Sequence, residues 1–264
     1  MKRLLKHICG ALCFLAAGTA LSHAQERNEM LLNATSLLDT PYTAGLLDAY
    51  AQEQLVFTTD EVDCMTFVEN TLALSLAEDS QTMELEEEDF IKWLTNIRYR
   101  DGKIDGYPSR LHYVSDWINN GVKHGFLEDV TAVQSPYKEK LFVNYMTTHA
   151  NKYPLMANST ANLSQIKAVE EALTGTEIHY IPKEYLPDEG FIWIKNGDII
   201  AITSNTDGLD VAHMGIAMIV DKKLTLVHAS STEKKVVVSN VSLKEMLRQN
   251  KNWSGVRVIR MKKS

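Results

Sequence analysis

The spacing of apolar residues changes along the chain, from a helical period in the first part to short runs in the last third. Helical spacing is clear at Glu29–Leu38, which Pro41 ends, and at Cys64–Ala77, where no breaker interrupts the apolar positions. Acidic residues suit the start of a further helix at Glu84–Ile97. Helices are also predicted at Glu139–His149 and Ser164–Leu173.

After Gly175 the pattern favours strands. Short β-branched runs alternate with turn signals such as Asn196-Gly197-Asp198 and Asp221-Lys222-Lys223. Closely spaced strands with tight turns are typical of an antiparallel sheet or partial barrel, and Ser242–Gln249 reads as one amphipathic helix. The predicted strands are Ile178–Pro182, Phe191–Ile194, Ile199–Thr203, Met214–Val220, Leu224–Ala229, Val236–Ser239 and Val256–Ile259.

The first 24 residues have a different character. A basic start, the short apolar run 8–20 and a small-x-small site ending at Ala24 together indicate a secretory signal peptide, with a membrane anchor as the alternative. Residues 25–264 then form one α+β domain, helices first and sheet second. The product is expected in the periplasm or outside the cell, as a monomer without stable membrane insertion.

Charge and hydropathy argue against two classes of protein. The 264 residues carry a net charge of −7, which disfavours nucleic-acid binding because such proteins neutralise phosphates with Lys and Arg. After the signal no apolar run reaches the ~18 residues of a membrane span, and the mean hydropathy is −0.18. A transmembrane transporter or channel is therefore excluded.

Cys64 is the one cysteine left after the signal is removed. It follows Asp63 at the start of the apolar helix, and Asp60 or Asp63 could be the N-cap. Unpaired N–H groups and the helix dipole at this position lower a thiol pKa, although the Asp63 charge opposes that effect. A reactive nucleophile and a small buried apolar residue are both compatible with this position.

A nucleophilic Cys needs a histidine partner, and His213 and His228 are the candidates. If the turn is centred on Asp221-Lys222, Val220 pairs with Lys223 and Gly215 lies opposite His228. His213 and His228 then become diagonal neighbours on one face, about 7–8 Å apart along the backbone. A register slip of one residue would place them on opposite faces.

Several motifs resemble one known family. Asp63-Cys64 opening a helix, then Asn196-Gly197-Asp198-Ile199-Ile200, His213-Met214-Gly215-Ile216 and Val227-His228-Ala229-Ser230, match in order the NlpC-type cell-wall cysteine hydrolases. This resemblance implies a papain-like fold, with Cys64 as nucleophile, His213 as base and His228 as the residue that orients it. The interval between His213 and His228 is a few residues longer than in typical members.

Further motifs resemble the N-acetylmuramoyl-L-alanine amidase-like branch of these hydrolases. They are Thr40-Pro41-Tyr42, Asp63-Cys64-Met65-Thr66-Phe67-Val68-Glu69 and Ser109-Arg110-Leu111-His112-Tyr113-Val114-Ser115-Asp116-Trp117. The branch implies peptidoglycan fragments as substrates and cleavage between N-acetylmuramic acid and L-alanine. A γ-D-glutamyl-diamino acid endopeptidase, a peptide hydrolase unrelated to walls, and a non-catalytic peptidoglycan-binding protein are the alternatives.

The remaining candidates concern the substrate. Segment 110–117 combines an arginine with aromatic residues. A guanidinium can bind a muropeptide carboxylate through two parallel hydrogen bonds, and aromatic rings can stack on sugar faces. The alternative is an amphipathic helix whose aromatic residues lie in the core. Tyr42 is a candidate oxyanion donor by resemblance, with an ordinary core tyrosine as the alternative. His213 and His228 have no convincing third zinc ligand, so neither metal nor cofactor is expected. The residues assigned to substrate binding are Tyr42, Asp63, Arg110, His112, Tyr113 and Trp117.

Overall fold

The computed structural model describes residues 28–78 and 85–263. The predicted signal peptide at residues 1–24 lies outside these residues and stays a prediction, as does the predicted start of a helix at Glu84. Within the described ranges, no helix combines the length and the apolar character needed to cross a membrane.

Helices make up most of the regular structure before Gly175. The second helix begins and ends at the predicted residues, Cys64 and Ala77. Asp63 caps its first turn, and most of its length is buried in the protein. The helices are α1 (Glu29–Ser36), α2 (Cys64–Ala77), α3 (Glu87–Arg98), α4 (Val114–Lys123), α5 (Val130–Gln134), α6 (Tyr145–Thr148), α7 (Pro154–Ala157), α8 (Thr160–Leu173) and, within the strand region, α9 (Leu243–Gln249).

The strands form a main antiparallel sheet in the order β1-β9-β5-β6-β7-β8, with β4 also paired to β9, and a small sheet of β2 and β3. Short turns explain the antiparallel pairing of β6, β7 and β8, since they return the chain directly beside the strand it has left. Strand β9 follows α9 and pairs with strands that come much earlier in the chain. The strands are β1 (Leu127–Asp129), β2 (Lys138–Lys140), β3 (Glu177–His179), β4 (Ile181–Pro182), β5 (Ile199–Ser204), β6 (Val211–Val220), β7 (Lys223–Ser230), β8 (Lys235–Val238) and β9 (Trp253–Met261).

Two predicted elements are wrong. The helix expected at Glu139–His149 is replaced by β2 and the short α6, because Glu139 pairs with Ile178 of β3. The strand expected at Phe191–Ile194 is a turn, closed by a hydrogen bond from the Ile194 N–H to the Phe191 carbonyl. The Phe191 and Trp193 rings stack there and pack against the core.

The main sheet separates two apolar clusters. On one face, α2 contributes Phe67 and Leu72 to a cluster that includes Met214 and Val227. On the other face, Ile202 and neighbouring strand residues pack against α9. These observations agree with the predicted α+β class and its antiparallel sheet in the second part; the papain-like part of that expectation rests on the resemblance alone.

Candidate active site

Cys64 is the first residue of α2, and Asp63 is its N-cap. The Thr66 N–H donates to Asp63 Oδ1 over 2.8 Å, and the Asp63 N–H donates to Thr66 Oγ1 over 2.8 Å. This reciprocal capping box fixes the first turn. It also answers which aspartate is the cap, and it occupies one oxygen of a carboxylate that the sequence assigned to substrate binding.

His213 and His228 are brought together by the β6–β7 hairpin. Asp221 and Lys222 have positive φ angles of 48° and 63°, typical of a two-residue hairpin turn, and Val220 pairs with Lys223 as predicted. The His213 Nε2 and His228 Nδ1 atoms are 2.8 Å apart. The predicted neighbourhood of the two imidazoles is therefore confirmed, whereas their catalytic roles stay predictions.

The nucleophile candidate contacts the same strand. The backbone N–H of Met214, the residue after His213, points at the Cys64 sulfur, as do the N–H groups of Cys64 and Met65. Helix α2 packs on β6 and β7. The start of α2 and the beginning of β6 thus form one site, although Cys64 and His213 are separated by about 150 residues of sequence.

Burial decides the resting charges of this site. It raises the pKa of Cys64 to about 12, helped by the Asp63 charge and opposed by the three N–H groups. It also lowers the pKa of His213 to about 3, with a contribution from His228, and the pKa of His228 to about 4. The lowered thiol pKa expected from the helix start is wrong for the free protein, because desolvation outweighs the N–H groups. Thiol and imidazoles are neutral at pH 7.

Tyr42 lies at the edge of this site. Its backbone forms a parallel bridge with Val62, two residues before Cys64, and its N–H donates to the Lys234 carbonyl over 2.9 Å. Burial raises the pKa of the half-buried Tyr42 hydroxyl, and the nearby acidic groups of Cys64 and Asp63 raise it further. A neutral hydroxyl near the thiol is the arrangement that an oxyanion donor requires.

Arg110 is bound by the protein's own carboxylates. It donates from Nη2 to Asp48 Oδ1 over 2.6 Å, its Nε is 3.4 Å from Glu53 Oε1, and its guanidinium lies 5.0 Å from the centre of the Tyr107 ring. The side chain is 7% exposed. A substrate carboxylate would compete with these two carboxylates for Arg110, which the sequence pattern did not indicate.

The other members of that predicted cluster are also engaged within the protein. His112 has a ring nitrogen 2.9 Å from the Tyr107 carbonyl, and burial beside the Arg110 charge lowers its pKa to about 3. Tyr113 and Trp117 are 2% and 1% exposed. Burial leaves these two rings no face for a sugar, so their assignment to substrate binding is corrected to a place in the core.

Trp253 is the site residue that sequence reasoning missed. Its ring lies parallel to that of His213, with an angle of 4° between the planes and 5.8 Å between the ring centres. No motif contains it, and it lies 40 residues beyond His213 at the start of β9. Only the pairing of β9 with β5, and of β5 with β6, brings the two rings together.

The described part of the chain holds no group of three or more His, Cys, Asp or Glu side chains placed to bind a metal ion. The groups that the structure brings to the site are one thiol, two imidazoles, a tyrosine hydroxyl and the N–H groups of a helix start. Together these are the components of nucleophilic acyl transfer.

Several solved structures are similar to this chain. A crystal structure of an N-acetylmuramoyl-L-alanine amidase from Bacteroides uniformis has 55% sequence identity and a TM-score of 0.88, covering 90% of this chain and 100% of that one. A Bacteroides fragilis protein, named as a candidate xylanase, has 53% identity and a TM-score of 0.84, covering 88% and 100%. A Legionella pneumophila protein has 25% identity and a TM-score of 0.66, covering 88% of both chains.

No curated protein matches the sequence. The AmiA-like family, described as N-acetylmuramoyl-L-alanine amidase-like, matches residues 33–256. This match covers most of the chain and includes Cys64, His213, His228 and Trp253. The chain therefore belongs to the AmiA-like family of N-acetylmuramoyl-L-alanine amidase-like proteins.

Proposed function

We propose that this protein hydrolyses the amide bond between N-acetylmuramic acid and L-alanine in peptidoglycan fragments, with Cys64 as nucleophile. The observation that carries the proposal is the 2.8 Å contact between His213 and His228, beside a Cys64 sulfur that faces the Met214 N–H. Membership of an amidase-like family supports the choice of bond.

The first half of the reaction transfers the acyl group to sulfur. Because His213 Nε2 is engaged with His228, Nδ1 is the nitrogen available to the thiol. His213 accepts the Cys64 proton as sulfur attacks the lactyl carbonyl, and its Nε2–H then donates to His228 Nδ1. The imidazolium passes its Nδ1 proton, the one taken from Cys64, to the departing L-alanine nitrogen, leaving a thioester on Cys64.

Hydrolysis of the thioester restores the enzyme. His213 takes a proton from water, the hydroxide attacks the thioester carbonyl, and the Cys64 sulfur leaves and regains a proton. The negative charge on the carbonyl oxygen is stabilised in both halves by the Cys64 N–H and the Tyr42 hydroxyl. Since thiol and imidazole start neutral, proton transfer accompanies the attack rather than preceding it.

The resemblance to papain-like NlpC-type hydrolases and the expected signal peptide belong to this proposal. Cleavage of the signal near Ala24 would deliver the enzyme to the compartment that contains its substrate. Soluble fragments are favoured over intact wall if the enzyme serves recycling in a periplasm.

The test uses residues 25–264 and a defined muropeptide, N-acetylmuramic acid linked to L-Ala-γ-D-Glu-diaminopimelate. Mass spectrometry should detect free N-acetylmuramic acid and the intact tripeptide, and Cys64→Ala should abolish both. Release of diaminopimelate, with L-alanine still on the sugar, would instead indicate the γ-D-glutamyl endopeptidase. Sugar release from xylan, or cleavage that survives Cys64→Ala, would contradict the proposal.

A further inference from the structure

The ring of His213 is contacted on two sides by the sheet. His228 meets its edge, with 89° between the ring planes, and Trp253 lies parallel to it at 4°. Both contacts orient an imidazole that must present one nitrogen to a thiol. His228 holds Nε2 of His213, and the stacked Trp253 ring restricts rotation of the imidazole plane.

A β-bulge is responsible for the position of Trp253. Ile202 of β5 pairs with His213 on one side and with Val256 on the other, so these side chains share a face of the sheet. Strict alternation along β9 would place Trp253 on the opposite face from Val256. The register shifts between Thr203 and Ser204, so that Trp253 pairs with Ser204 and Ser254 is the additional residue. This shift moves Trp253 onto the face of His213.

The bulge is held by a specific contact. The hydroxyl oxygens of Thr203 and Ser254 are 2.6 Å apart. This hydrogen bond holds the additional residue of β9 against β5. A second register shift on β6, opposite Ile202 and Thr203, leaves Ala212 unpaired directly before His213. Both rings of the stack therefore adjoin a bulge, and both bulges lie beside Thr203.

We infer that Trp253 is a positioning residue for His213, holding the imidazole in the orientation that proton transfer with Cys64 requires and excluding water from the His213–His228 contact. This inference rests on the proposed function for its catalytic consequence. The effect on the ring itself is independent of the reaction and can be measured without substrate.

The groups around His213 make that measurement interpretable. His228 from β7 is the titratable group whose charge acts on the ring, whereas β5 and β9 contribute Ile202 and Trp253, which carry no charge. Burial is the largest cause of the lowered His213 pKa. Admitting water beside the ring should therefore raise its pKa toward the ordinary value.

The chain supplies a matched control. Trp193 is half-buried in the same apolar cluster as Trp253, and its ring stacks on Phe191 at 5° with 5.6 Å between centres. Its substitution removes a comparable aromatic stack at a distance from His213. Three variants are compared with the wild type: Trp253→Leu, Trp253→Phe and Trp193→Leu.

For Trp253→Leu we expect kcat for the muropeptide to fall roughly 10- to 100-fold with KM little changed, and NMR titration to show a raised His213 pKa. Trp253→Phe should keep most of the activity because a ring remains, and Trp193→Leu should match the wild type. Unchanged kcat and titration in Trp253→Leu, or equal losses in Trp193→Leu, would overturn the inference. If the wild type does not cleave the muropeptide but the His213 titration still responds to Trp253→Leu, the proposed function fails and the positioning of the ring stands.

Discussion

His213 and His228 are 15 residues apart in the chain, yet His213 Nε2 and His228 Nδ1 lie 2.8 Å from each other. Two features of the hairpin produce this contact. One is a two-residue turn with positive φ angles at Asp221 and Lys222, and the other is a glycine at position 215, where the two strands approach each other. The contact engages Nε2 of His213 and leaves its Nδ1 outside the pair.

Removing the His228 ring tests that contact directly. His228→Ala should lower kcat by roughly 10- to 100-fold. The reason is that His213 loses the partner that fixes its tautomer and accepts the hydrogen bond from its Nε2–H. His228→Asn, which keeps an acceptor near the position of Nδ1, should lose less. Steady-state kinetics with the muropeptide measure both, and equal activity of the two variants would show that the acceptor is irrelevant.

Gly215→Ala should disturb the same pair from the backbone side. A Cβ atom at this position would lie 3.0 Å from the His228 Cβ and 3.0 Å from the Val227 carbonyl oxygen, closer than ordinary contacts, so β7 must shift. We expect kcat to fall by about 10-fold while the melting temperature stays close to that of the wild type. An unchanged kcat together with unchanged NMR signals of His228 would contradict this expectation.

Substitutions of Asp63 separate its two effects on Cys64. Asp63→Asn retains a capping oxygen but removes the charge that raises the thiol pKa, so alkylation of Cys64 by iodoacetamide should show a lower apparent pKa than in the wild type. Asp63→Ala also loses the cap, which should cost about 1 kcal/mol of unfolding free energy. Urea unfolding measures that cost, and a wild-type alkylation profile in Asp63→Asn would refute the electrostatic part.

Acid should destabilise the fold through its buried imidazoles. His112 has its pKa lowered to about 3, whereas in the unfolded chain a histidine titrates near 6.5. Between these values the unfolded state binds more protons, so the unfolding free energy falls as the pH decreases through about 6.5 and continues to fall toward pH 3. At pH 5 this group accounts for up to about 2 kcal/mol.

The control is His112→Gln, which cannot titrate and keeps a donor for the Tyr107 carbonyl. Urea unfolding at pH 7.5 and pH 5 should show a smaller difference for His112→Gln than for the wild type. His213 and His228 have lowered pKa values as well, so part of the acid sensitivity must remain in the variant. Loss of all of it would contradict the lowered pKa values of His213 and His228.

The sequence alone determined the local elements on which the site is built. The apolar run that begins at Cys64, with aspartates before it, predicts a helix start there, and the structure shows that Asp63 rather than Asp60 is the cap. The turn at Asp221-Lys222 specifies the hairpin register, and the side-chain period of two then places His213 and His228 on one face. Such features are set by neighbours in the chain, so local patterns reveal them.

Only the tertiary structure decided what surrounds those residues. The stack of Trp253 on His213 depends on the order of three strands and on a bulge at Ser254. The pairing of Arg110 with Asp48 joins residues that are 62 positions apart in the chain. The resting charges of Cys64 and His213 follow from burial by elements that are distant in sequence. Desolvation and side-chain pairing depend on the assembled fold, and a pattern of residue types along the chain does not contain them.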